Sequence, residues 1–171
     1  MIPILTFFIL FTIDNLFAIY QPFSTTFENA TFIPYFSLIG LCFYPFFDKK
    51  ENGFYVATIL GLIFDFYATN LIGLYTVLFV MIFYLIKKYI VAVTPINFIS
   101  LLYVVGLAIL FTEIVTFIFV VLFTNISVTM FEFIQTRLMT TLIFNIFNFS
   151  LLYLPFTKIF SRIKEKKIKP S

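Results

Sequence analysis

The chain contains no tryptophan and no histidine, and its one cysteine, Cys42, lies in an apolar run. A single thiol cannot close an intrachain disulfide, and without histidine or a second cysteine the chain lacks the donors of a zinc site. The absence of tryptophan weakens the aromatic belt that anchors membrane proteins at the lipid boundary, and ten tyrosines are left for that role. Charge is scarce as well: 11% of residues are Asp, Glu, Lys or Arg, where soluble domains carry about a quarter. The formal net charge of +3 is modest and does not support a nucleic-acid partner. No phosphate loop or nucleophile triad can be found. No catalytic residue, metal or cofactor is therefore assigned.

What is present is apolar. Hydrophobic residues make up 62% of the chain, 28 of its 171 residues are Phe, and the mean hydropathy is +1.09. These values describe an all-α, polytopic membrane protein. The length suits six spans of roughly 20 residues, with no room for a separate soluble domain. The expected transmembrane domain covers 1–157, with spans at 2–20, 32–47, 53–67, 72–90, 97–124 and 137–157, and a basic tail follows at 158–171. The first span lacks the basic start and small-residue cleavage site of a signal peptide, so it reads as retained. Lys49, Lys50, Lys87, Lys88 and the tail residues Lys158, Arg162, Lys164, Lys166, Lys167 and Lys169 fall on one side, and only Arg137 falls on the other. By the positive-inside rule both termini are cytoplasmic, and the polar loops at 21–31, 68–71 and 124–135 face outward. The tail then meets the anionic lipid of the inner leaflet.

The most informative stretch runs from Tyr55 to Tyr75, where Asp65 interrupts an apolar segment. Gly53, Ala57, Gly61 and Asp65 stand four apart, so on a helix they share one face along which a second helix can approach closely. Gly73 follows a short polar break and sends the chain back, which predicts a helical hairpin with Asp65 near its tip. Two more acids lie inside apolar spans, Asp14 beside Asn15 in the first and Glu113 in the fifth. A central Asp costs about +2.5 to +3.5 kcal/mol on insertion, but each Leu, Ile or Phe returns about −0.3 to −0.6. Each span therefore inserts in spite of its acid. In the sixth span Arg137, Thr141, Asn145 and Asn148 recur at helical spacing and draw a polar stripe that should face protein. Asp14, Asn15, Asp65, Glu113, Arg137, Asn145 and Asn148 are thus expected to form one inward polar network. Its groups either lock the helices in register or receive a partner or ligand.

The run from Gly61 to Thr76, GLIFDFYATNLIGLYT, preceded by Tyr55, resembles the central signature of the MreD family of bacterial rod-shape-determining membrane proteins. The resemblance extends to Asp14 in the first span, Pro34 opening the second, Glu113 in the fifth, and Arg137, Asn145 and Leu154-Pro155-Phe156 in the sixth. It implies a non-enzymatic scaffold of the cell-elongation machinery that pairs with the bitopic protein MreC. It further implies coupling of MreB filaments inside the cell to peptidoglycan synthesis by RodA and a class B penicillin-binding protein outside. The fold it implies is similar to that of the substrate-binding S components of energy-coupling-factor transporters. On this reading the MreC helix packs near the third and fourth spans, against the face of Gly53, Ala57, Gly61 and Gly73. An S component that binds a vitamin is the alternative, but the first span has only Ala18 where such subunits carry an Ala-x-x-x-Ala docking surface. An intramembrane aspartyl peptidase would need Asp14 and Asp65 to face each other, and the residues before Asp65 are Ile63-Phe64, not the Gly-x-Gly-Asp pattern of presenilin-like enzymes.

Overall fold

The computed structural model describes residues 2–20, 32–47, 52–68, 73–123 and 129–166. The loop at 21–31, the charged turn at 48–51 and the tail beyond residue 166 lie outside them. Among the described residues the secondary structure is entirely helical. In chain order the elements are α1 (Ile2–Tyr20), α2 (Phe36–Phe47), α3 (Asn52–Ala68), α4 (Leu74–Leu85) with a π turn at Ile86–Ile90, α5 (Phe98–Phe123), α6 (Met130–Phe133), a second π turn at Ile134–Leu138, and α7 (Met139–Lys166).

The centre of the bundle is α2. Its sequence, FSLIGLCFYPFF, is apolar on every side, and all of its residues are buried. The other long helices surround it, with α1, α3, α4, α5 and α7 all touching it. Twelve residues at about 1.5 Å each make a helix of roughly 18 Å, well short of the roughly 30 Å of a hydrocarbon core. The N-terminus of α2 therefore ends inside the bundle. Its backbone N–H groups need buried acceptors, and the chain reaches it through an extended strap, Phe32–Tyr35.

The tightest helix pair is the α3–α4 hairpin. The small-residue ladder of α3 lies against α4, and at Gly61 a side chain would run into the backbone of the facing helix, 2.8 Å from the Tyr75 carbonyl oxygen. At Gly53 it would meet the Phe83 ring. The ladder of Gly53 and Gly61 is thus filled by the chain's own α4, the close helix approach that the spacing of small residues leads one to expect.

The outer helices are as apolar outside as inside. On α5 the buried face carries Leu101, Val104, Val105, Ala108 and Ile109, while Ile99, Tyr103, Leu107, Ile114 and Ile118 are exposed. A water-soluble bundle would reverse that exposed face to polar residues. Two stretches, Phe98–Phe123 and Met130–Ile159, are long and apolar enough to cross a membrane. Exposed tyrosines mark the end of the bundle where α4 finishes and α3 and α5 begin: Tyr55, Tyr84, Tyr89 and Tyr103. There the Lys88 ammonium donates to the Tyr84 hydroxyl at 2.6 Å, and Lys87 lies over the rings of Phe54 and Phe83 at 5.6 and 5.8 Å. Long basic chains resting on aromatic stems are the usual way for a charge to leave an apolar slab.

The reading of 124–135 as a loop is corrected from residue 130 onward. Thr129 and Glu132 form a reciprocal capping box that starts a helix at Met130. That helix continues through the π turn into α7 and on to Lys166, so the stretch 158–166 of the expected tail extends the last helix.

Candidate functional site

Three buried carboxylates and the groups they hold make up the polar interior. Each lies in a helix that leads into a hairpin, and each is met by the helix that returns.

The first is Asp14 on α1, which accepts from the backbone N–H of Phe36 at 2.7 Å and of Ser37 at 2.9 Å. These are the opening residues of α2, whose positive end is buried and favours a negative partner. Asn145 on α7 completes the same cap. Its Oδ1 accepts from the Tyr35 N–H at 2.9 Å, and its Nδ2 donates to the Ile33 carbonyl at 2.8 Å. A carboxamide carries one acceptor and one donor side, so it serves both edges of the strap at once. Nδ2 also reaches the Thr141 carbonyl one turn back on its own helix, at 2.8 Å.

The second is Asp65 on α3, which performs the same task for α4. The cap position of α4 is Gly73, which has φ +108° and no side chain to offer. Glycine fits there because other residues disfavour that left-handed backbone. Asp65 supplies the missing acceptor from the other limb of the hairpin, taking the N–H groups of Gly73, Tyr75 and Thr76 at 2.9, 2.7 and 3.1 Å, and the Thr76 hydroxyl at 2.6 Å. Both oxygens are occupied.

The third is Glu113 on α5, which is fully buried and is held by side chains. It accepts from the Tyr35 hydroxyl at 2.7 Å and from Arg137 Nε at 2.8 Å. Arg137 belongs to the second π turn, where the Met139 N–H bonds back to the Ile134 carbonyl. One turn nearer the hairpin end, Phe117 and Phe133 stack with centroids 4.2 Å apart, tying α5 to α6 directly beside the ion pair. Tyr75, whose N–H is capped by Asp65, lies within electrostatic reach of Tyr35, Glu113 and Arg137.

The geometry thus joins Asp14, Asn145, Glu113 and Arg137 around the start of α2, with Asp65 at the adjoining start of α4. It does not join Asn15 to them: among the described residues the Asn15 amide bonds only to the Phe11 carbonyl, four residues back at 2.9 Å. Asn148 is buried on the same stripe, yet among the described residues its Nδ2 finds no acceptor. Asp14 and Asp65 serve different helices and share no hydrogen bond. Tyr35 is the central residue that sequence reasoning missed, since it engages Asn145 through its backbone and Glu113 through its ring. Its position directly after Pro34, ahead of an all-apolar run, is the nearest thing to a signal.

Helices that are apolar on their outer faces, packed around acids that cap and pair inside, define a helical membrane protein held together by its own buried polar groups. The chain belongs to the MreD family: the family model for rod shape-determining protein MreD matches residues 1–163. No curated protein and no solved structure matches it.

Proposed function

We propose that this chain is a six-span, non-catalytic scaffold of the cell-elongation machinery, with both termini cytoplasmic. It binds MreC through that protein's transmembrane helix and helps couple MreB to peptidoglycan synthesis by RodA and a class B penicillin-binding protein. Membership of a rod-shape-determining family supplies the process. The observation that carries the scaffold reading is the use made of the acids. Asp14 and Asp65 are spent on backbone N–H groups and Glu113 on Tyr35 and Arg137. An aspartyl dyad would instead leave two carboxylates facing each other over a shared proton.

Because α4 fills the ladder of α3, we place the MreC helix on another face. An open candidate is an apolar groove of about 160 Å³ between α1 and α3, walled by Phe7, Phe8, Phe11, Val56, Ile59 and Ile63. It adjoins the hairpin and contains no polar group, so a mostly aliphatic helix suits it. The test is site-specific photocrosslinking in native membranes, with the probe at Ile59 or, as a control, at the equally lipid-exposed Tyr103 on α5. MreC is expected to be captured from Ile59 and not from Tyr103. Capture from Tyr103 alone would move the interface to α5, and capture from neither, with the protein inserted, would count against direct docking.

A further inference from the structure

The ion pair between Glu113 and Arg137 is one-sided. Arginine commonly grips a carboxylate with two parallel N–H groups. Here the second carboxylate oxygen is taken by the Tyr35 hydroxyl, so only Nε is engaged. Among the described residues the two terminal amino groups of the guanidinium have no acceptor. The Arg137 side chain is 31% exposed although Glu113 is fully buried, so the unused edge of the fork lies toward the outside of the bundle.

The segment that carries that edge exposes polar and apolar groups together: Glu132 and Gln135 are exposed, and Thr136 and Thr140 are half-buried. Met130 and Phe131 on one side and Met139 and Ile143 on the other are all more than half exposed. Polar and large apolar groups mixed in this way suit the boundary between headgroups and acyl chains. Arg137 stands seven residues into the helix that begins at Met130, or about 10 Å along it. The apolar stretch Met130–Ile159 comprises 30 residues, roughly 45 Å, which exceeds a hydrocarbon core of roughly 30 Å. One end at least projects beyond the core, and the exposed Glu132 and Gln135 in the first turns favour this one, which puts Arg137 near the boundary where phosphates are the abundant acceptors. A guanidinium matches phosphate oxygens with two parallel donors, and leaving its N–H groups unpaired at that depth is costly.

We infer that the outer edge of Arg137 is a binding site for the phosphate of a membrane phospholipid, with Glu113 and Tyr35 as positioning residues that hold the fork open. Arg137 would then join a lipid headgroup to the polar interior through one side chain.

The test uses the full-length protein in phospholipid nanodiscs, with arginine labelled with ¹³C at Cζ. The chain has only one other arginine, Arg162, so an Arg162→Lys background isolates the signal. Solid-state ¹³C–³¹P dephasing is expected at Arg137 Cζ, and native mass spectrometry is expected to retain phospholipid but not a phosphate-free glycolipid. Arg137→Lys keeps the charge and loses the fork, so retention should fall roughly tenfold. No dephasing in the folded protein, or equal retention of glycolipid and phospholipid, would overturn the inference. So would dephasing seen only when inorganic phosphate is added to glycolipid nanodiscs, which would assign the site to a free anion. The dephasing measurement does not depend on whether the Arg137→Lys variant folds.

Discussion

Asp65 illustrates what a buried carboxylate can do that no other residue can: it accepts four hydrogen bonds and donates none. An asparagine keeps one acceptor oxygen but turns an amide donor toward N–H groups, while leucine leaves every donor unpaired. Asp65→Leu is therefore expected to destabilise the protein by about 1–2 kcal/mol more than Asp65→Asn. Unfolding can be followed in detergent with a thiol-reactive fluorophore, because the only cysteine, Cys42, is buried within α2. Equal midpoints for the two variants would remove the capping role. The acid itself was visible in the sequence, as a charged residue in an apolar run. What it bonds to was not, since three of its four donors are backbone N–H groups, which almost every residue carries alike.

The α3–α4 hairpin was the most legible element. The spacing of Gly53, Ala57, Gly61 and Asp65 prescribes a close helix contact, and the contact is there. A side chain at Gly61 would strike the Thr76 backbone, which cannot rotate away as a side chain would. Gly106, in the middle of α5, has open space around it. Gly61→Ala is thus expected to cost about 1–3 kcal/mol by overpacking, whereas Gly106→Ala should gain about 0.5–1 kcal/mol from helix propensity. The same thermal assay separates them, and a Gly61→Ala variant as stable as the parent would show that the hairpin yields at that point. The last helix was less legible. Its start is written as Thr129-x-x-Glu132, a capping box, but the surrounding polar residues read as a loop and drew the expected boundary seven residues too far along.

Across the whole molecule one device recurs. In α1, α3 and α5 an acid rides on the outgoing limb, and the returning limb meets it: Phe36 and Ser37 for Asp14, Gly73, Tyr75 and Thr76 for Asp65, and Arg137 for Glu113. All three unions fall toward one end of the bundle, and the exposed tyrosines with Lys87 and Lys88 mark the other. Lysines and arginines favour the cytoplasmic side of a membrane, so the acid-bearing end should face outward. A reporter fused after Ser171 is accordingly expected to be active on the cytoplasmic side, and one inserted between α1 and α2 on the outside. Reversed activities would invert the topology and place Arg137 in the inner leaflet.

The sequence by itself determined the environment and the cast. Apolar runs of spanning length require lipid, small residues four apart require a close neighbour, and acids inside apolar helices require partners within the protein. The tertiary structure alone decided the pairings. A lone carboxylate is satisfied equally by a backbone N–H, a tyrosine or an arginine, and nothing in its own segment selects among them. The choice followed from α2 being too short to reach its water boundary. Its buried N-terminus needed acceptors from α1 and α7, which fixed Asp14 and Asn145, brought Tyr35 to Glu113 and left Arg137, among the described residues, to meet that acid through Nε alone.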